Sequence, residues 1–523
     1  MTPDSIAKAL SEFLRCAQDA VIVEDGAAVF DLRESKYSIS GERNKCLLHV
    51  WSAERNAVRR VLDLELKNDV LRLSVQRMGQ TKPTKLEICR ERDRRTPSAK
   101  RMARLAYSRV LGRVLMKQFP GWKATALSTA IDLERSFGPV YSRGLLCQGQ
   151  RGFAVLGVNA EETQASIDGS LTFGIVWLDS CRTAQAGKMV VEGLKLFLPA
   201  GKSAVVRERI AYLDRFAAKW HLYEVDGREE HAKEIDIADC GNVATRLVRV
   251  TDEMATRDRF GSEIAIVHEL MPEAEIAILS PAEIAFRCHG LEFARARLAQ
   301  NPASFRMPAE LVFGLGVEEK IYDQETATLF ELLVRGIGEV RHNEGPRDHP
   351  LWRMHPERWL ESLVVKNVNA LDERLEASSV YSQVPAFSAS DRAMIDVLAI
   401  TREGRLAVIE LKADEDIHLP LQALDYWSRV AWHHARGEFK KFGYFSDHEL
   451  SDEKPWLVLV APALRVHPAT DTLLRYISPR VVWMLAGIDE RWRDQVRVVF
   501  RKRSTVETEA QRYEVPSLLR TGS

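Results

Sequence analysis

The sequence has no apolar run approaching the roughly 20 residues that a helix needs to cross a bilayer. Its first residues, MTPDSIAKALSEFLRCAQDA, carry Asp4 and Glu12 and lack an apolar core, so no signal peptide is expected and the cytoplasm is the expected compartment. No C-x-x-C pair occurs among the seven cysteines (16, 46, 89, 147, 181, 240, 288). That spacing argues against a zinc site and a disulfide framework, and for a reducing environment. Nucleotide cradles are missing too. LPAGKSA holds Gly201-Lys202-Ser203, but Leu196 stands where a P-loop needs its first glycine. GIGEVR offers Gly336 and Gly338, but Arg341 replaces the third glycine of a dinucleotide fingerprint. His433-His434 and the pair His349 and His355 lack metal-ligand spacing with supporting Cys or His. No internal repeat is visible.

The 523 residues, 46% hydrophobic and 28% charged, suit a globular chain of several domains. A net charge of zero conceals an asymmetry. Residues 1–120 hold 24 Lys and Arg against 15 Asp and Glu, a surplus of nine that the rest of the chain cancels. The surplus is densest in CRERDRRTPSAKRMARLAYSRVLGR, residues 89–113, and points to a polyanionic partner or to a solvated face. Alternation of apolar and polar residues predicts strands over 36–91, with a hairpin in LDLELKNDVLRLSV. A helix is expected over 98–118, partly buried through Met102, Leu105, Ala106, Val110, Val114 and Leu115. The resulting division is a basic β-rich region 1–120, a mixed α/β region 121–340, a His/Pro/Arg-rich linker 341–354 and a regular α/β region 355–523.

That last region holds AMIDVLAITREGRLAVIELKADED, two β-type runs around a polar turn. Asp396, Glu410 and Lys412 occupy strand positions that Val, Ile or Leu would fill more easily. Burying an unpaired carboxylate costs several kcal/mol, so a metal, a donor or a catalytic role must compensate. Glu410 and Lys412 lie two apart and share a face of their strand. Two carboxylates and a lysine converging on one place suit a hard cation such as Mg²⁺; the bland alternative is an internal ion pair closing a sheet edge.

A helix precedes the hairpin, and a second helix follows it with Gln422 and Tyr426 four apart on one face. Together these features resemble the PD-(D/E)XK nuclease superfamily, most closely its NucS/EndoMS and RecB-like branches. The resemblance covers about residues 355–465 and implies an α/β fold: a restriction-endonuclease-like αβββαβ core with a mixed sheet, preceded by β-rich and α+β regions. It implies a Mg²⁺-dependent nuclease (Mn²⁺ as an alternative ion) hydrolysing DNA phosphodiester bonds, with RNA left open. Asp396 matches the family's Asp, Glu410 and Lys412 its Glu-x-Lys, and Gln422 with Tyr426 its helical pair. Glu361 on the leading helix matches the family's glutamate and would join Asp396 and Glu410 as a metal ligand; Glu357, one turn earlier, is the competitor. Related nucleases often dimerise to cut both strands, so a homodimer is an option. The alternative is a non-catalytic nucleic-acid-binding or scaffold protein that retains a nuclease fold. No membrane partner is expected.

Overall fold

The structure, a computed structural model, describes residues 3–504 apart from residues 16, 18–19, 25–26, 33–34, 43–44, 52–55, 68–69, 78–82, 90–96, 228, 239–244, 300–307, 316–318 and 389–393. Among the described residues the architecture is mixed α/β with four sheets. Two compact units divide the chain: residues 1–210 with 215–238, and residues 211–214 with 239–523. The boundaries expected near 120 and 340 therefore fall inside units, for reasons visible in the packing below.

In the first unit, helix Pro3–Arg15 carries Ile6, Leu10, Phe13 and Leu14 at helical spacing and lays them on an antiparallel seven-stranded sheet spanning residues 21–89. The expected hairpin is there: strand Asn56–Lys67 pairs with Val70–Arg77, closing at Lys67 opposite Val70. Residues 90–96, with four of the nine Lys and Arg of the basic run, lie outside the described residues. Helix Pro97–Gln118 follows, but its buried face differs from the expected one. Leu111, Val114 and Leu115 are buried, whereas Met102 and Leu105 are exposed. Its second half packs on the next sheet with Leu146, Val155, Phe197 and Tyr223, which is why no boundary falls near 120.

That next sheet and the large sheet of the second unit have the same construction. In the first, strands Lys123–Ala124, Tyr141–Gln148, Arg151–Val158, Val190–Pro199, Lys219–Asp226 and His231–Ile235 stand side by side in chain order. Their successive pairings are antiparallel, antiparallel, parallel, parallel and antiparallel. Helices Ser170–Ala184 and Ala204–Ile210 make the crossovers that parallel neighbours require. The second unit repeats the scheme with a leading helix Pro356–Lys366 and strands Leu375–Ser388, Met394–Thr401, Leu406–Leu411, Trp456–Pro462, Trp483–Ile488 and Val498–Arg503. The five pairings have the same senses, and helices Leu419–His434 and Thr470–Arg475 make the crossovers. The short strand Thr245–Leu247 extends this sheet at its edge. Within residues 356–462 the order is αβββαβ. A repeat of topology thus exists where none is visible in the residues.

Residues 253–340 form a separate layer of the second unit: three helices on a five-stranded antiparallel sheet, strands Glu275–Ser280, Glu283–Cys288, Leu291–Leu298, Ala309–Phe313 and Lys320–Ile321. The segment 341–354, expected as a linker, instead welds this layer to the leading helix. Arg341 is almost fully buried, with its guanidinium over the Trp359 ring at 4.7 Å. It donates to the carbonyls of Cys288, His289, Leu351 and Met354. His289 stacks on the same tryptophan, and Gly290 has φ +70° where any Cβ would overlap the Arg358 carbonyl oxygen. The turn at 289–290 is thereby pressed onto the first turn of the leading helix. Among the described residues no helix is long and apolar enough to cross a membrane.

Candidate active site

Strands Met394–Thr401 and Leu406–Leu411 pair from Ile400 opposite Leu406 to Val397 opposite Ile409. There the carboxylate of Asp396 takes over: its Oδ2 accepts the Leu411 N–H at 3.1 Å. Ile409 and Leu411 point into the core with Trp359, Leu360 and Val364 of the leading helix. By strand alternation Glu410 and Lys412 face the other way, the side where Leu419–His434 packs.

Glu410 is 1% exposed. Its Oε1 accepts from the Lys412 ammonium at 3.2 Å, while its Oε2 is buried without a hydrogen-bond partner. Burial pushes this carboxyl well above the usual carboxylate range, and Asp396 beside it pushes the same way against the partial offset of Lys412. For the Lys412 ammonium, burial works against the charge, but Glu410, Glu357 and Asp396 outweigh it and raise its pKa. Glu357, half-exposed, approaches the same ammonium at 3.8 Å. Gln422 and Tyr426 sit one turn apart on helix Leu419–His434, with the amide of Gln422 3.4 Å from the Tyr426 hydroxyl. That hydroxyl is pushed up to about 12, first by burial and then by Glu410. Five of the six expected site residues therefore form one connected group on two strands and a helix.

Glu361 stands differently. It is buried, but its Oε2 accepts from Arg358 Nη1 at 3.0 Å and from Gln383 Nε2 at 2.7 Å. Burial raises its carboxyl to about 7; Arg358 opposes the rise, and Asp396 is near enough to add to it. Both helix carboxylates thus feel Asp396, Glu361 from a buried position and Glu357 from the edge of solvent. Gln383 occupies a left-handed conformation, φ +52°, between the pairs Ser382–Val397 and Val384–Ile395, and so lies across from Asp396. A non-glycine residue held there costs on the order of 1–3 kcal/mol and is kept where surrounding structure demands it. Sequence reasoning missed Arg358 and Gln383. Arg358 is readable as an i, i+3 partner of Glu361, whereas Gln383 needs a sheet register that no local pattern reveals.

A divalent cation fits part of this arrangement. Among the described residues no group of three or more His, Cys, Asp or Glu side chains is gathered as a metal cage, so Glu361 does not join the other two carboxylates here. Mg²⁺, however, is commonly held by one or two carboxylates with retained waters. The orphaned, buried Oε2 of Glu410 beside Asp396 is the kind of donor such an ion would satisfy.

The equivalent hairpin of the first unit, Tyr141–Gln148 with Arg151–Val158, contains no Asp or Glu. Its pairing runs unbroken to Tyr141 opposite Val158. The buried charge there is Arg143, stacked 4.1 Å above Phe137. One copy of the topology carries the carboxylates and the other has none at the corresponding hairpin. No family model matches the chain, and neither a curated protein nor a solved structure matches it.

Proposed function

We propose that the chain is a divalent-metal-dependent nuclease of PD-(D/E)XK type that hydrolyses DNA phosphodiester bonds at the hairpin of residues 394–412. The αβββαβ order of residues 356–462, with the carboxylates on its second and third strands, agrees with that reading. The observation that carries it is a buried Glu410 carboxylate that shares its place with Asp396, its Oε2 receiving no donor, with Lys412 closing the group. A carboxylate kept there without a partner destabilises the fold, and a bound cation is the simplest compensation.

In this reading Asp396 and Glu410 would hold Mg²⁺ or Mn²⁺. Bound there, the ion supplies Lewis acidity to a phosphoryl oxygen and makes a coordinated water more acidic. Lys412, fully charged at neutral pH, orients the attacking water and offsets negative charge building on the phosphorane oxygens. Gln422 and Tyr426 hold the strand that carries Glu410 against the substrate side. Arg358 and Gln383 position Glu361, whose carboxyl titrates near neutrality and is available as a further ligand or proton acceptor. The basic residues of the first 120 positions add affinity for the polyanion.

The direct ion pair between Lys412 and Glu410 favours the second reading, a nucleic-acid-binding protein without chemistry. Incubating the full chain with labelled DNA and RNA of single-stranded, duplex, branched and mismatched form, with and without Mg²⁺ and Mn²⁺, decides between them. Metal-dependent cleavage that is lost in Asp396→Ala is expected. Binding without cleavage under every condition would leave the second reading.

A further inference from the structure

Beside the proposed site lies a cleft of about 400 Å³ between the hairpin of residues 283–298 and the start of the leading helix. Arg287, Glu292, Arg295, Glu319 and Arg358 bring charge to its lining. Two of these arginines are not equivalent to the third. Arg295 is committed, held by Glu292 and by Glu283. Arg287 is mostly buried, yet its only ion-pair contact among the described residues is Glu292 at 3.8 Å, beyond hydrogen-bonding distance. Burial lowers its pKa, as expected of a guanidinium shielded from water with weak compensation. Arg358 is partly exposed and shares its guanidinium with Glu361.

We infer that this cleft receives a phosphate group of a nucleic-acid strand, with Arg287 and Arg358 as its ligands, an inference that rests on the nuclease reading. The guanidinium fork matches phosphate oxygens in pairs, and a phosphate supplies the acceptors that Arg287 lacks. The position is right for a substrate contact. Arg358 donates to Glu361 Oε2 at 3.0 Å, the same oxygen accepts from Gln383 Nε2 at 2.7 Å, and Gln383 lies across the strand pair from Asp396, so the cleft opens close to the hairpin carboxylates. The place is also rigid. Gly290, pressed on Arg358, and Arg341, tied to Cys288 and His289, fix the hairpin that carries Arg287 against the helix that carries Arg358. A phosphate taken up by Arg358 draws that guanidinium from Glu361 and leaves the carboxylate held by Gln383 alone, the residue across from Asp396.

The test uses the full chain with Glu410→Gln to prevent cutting, titrated into fluorescent 20-nucleotide strands at several salt concentrations. Strands with a 5′-phosphate, with a 5′-hydroxyl and closed circles separate a terminal phosphate from an internal phosphodiester as the group bound. Arg287→Gln and Arg358→Gln should each weaken binding by about tenfold and lower the salt slope by about one, the signature of one lost phosphate contact. Arg335→Gln, a surface change on another helix, is the control. Arg287→Lys, which keeps the charge but loses the fork, guards against a folding defect, with thermal unfolding recorded for every variant. Equal binding of Arg287→Gln, Arg358→Gln and Arg335→Gln would overturn the cleft. Cleavage by the unmodified chain is measured separately. Loss of binding in the cleft variants without any cleavage by the parent retains the cleft and rejects the nuclease, whereas cleavage with unchanged binding does the reverse.

Discussion

A carboxylate with one oxygen on an ammonium and the other buried without a donor beside a second carboxylate can either take up a proton or gain a cation, and Glu410 is in that position. Asp396→Ala, Glu410→Ala and Lys412→Ala should each reduce metal-dependent cleavage by about 100-fold or more while leaving far-UV circular dichroism unchanged. Wild-type turnover in all three would reject the site. Titration gives a second check at the same scale. Glu361 has a folded-state pKa near 7, above its ordinary 4.5, and burial is the main cause. Its contribution to stability is therefore complete below about pH 4.5 and is lost as pH rises through about 7, because the unfolded chain gives up the proton first. Glu410, raised in the same direction by burial and by Asp396, adds to that loss. The metal-free protein should unfold at lower temperature at pH 8 than at pH 5. Glu361→Gln should flatten that dependence and stabilise the protein at pH 8 by roughly 1–3 kcal/mol. Stability that rises with pH between these values would contradict the assignment. Added Mg²⁺ should raise the unfolding temperature at pH 8 in the wild type and not in Asp396→Ala.

At the level of elements, what the sequence reveals follows from how local each cause is. Strand alternation and the two-residue spacing of Glu410 and Lys412 are local, so the hairpin and its charged face are legible in the residues alone. Strand Trp456–Pro462, and Leu406–Leu411 apart from Glu410, read as apolar runs because both faces of a parallel pair are covered. The place of Gln383 is not local: it depends on register with Met394–Thr401 and on a backbone conformation that no glycine advertises. Arg341 misled for a related reason. Arginine beside His, Pro and Gly has the composition of a loop, yet the Arg341 guanidinium donates four hydrogen bonds to carbonyls of two segments and stacks on Trp359. The turn it helps to hold offers an element-scale prediction. Gly290→Ala forces a left-handed residue to carry a Cβ into the Arg358 carbonyl, and should destabilise the protein by about 1–3 kcal/mol by urea unfolding. A neutral effect would mean that the hairpin is not pressed on the leading helix as described.

Across the whole molecule, the repeated topology explains why the chain is long without carrying two sets of carboxylates. Pairing order is set by crossovers and apolar patterns, which many sequences satisfy, so the two copies need share no motif and the repeat escapes sequence inspection. The division of labour also predicts which piece is autonomous. A fragment of residues 345–523 keeps the candidate carboxylates but loses Arg341, the layer of residues 253–340 and strand Thr245–Leu247, and uncovers Trp359. It should be insoluble or lack a cooperative thermal transition. A fragment of residues 211–523 keeps all of these, and also keeps Leu213 paired with Ile477 and the Tyr212 ring on Trp427. It should unfold cooperatively, retain metal-dependent cleavage, and bind nucleic acid more weakly than the full chain because the basic surplus of residues 1–120 is gone. The difference in affinity should be largest at low salt and shrink as salt rises, since screening and counterion release govern that part of the binding. Equal affinity of the fragment and the full chain at low salt would remove the first unit from nucleic-acid binding, and cooperative folding of residues 345–523 alone would refute the structural role assigned to Arg341.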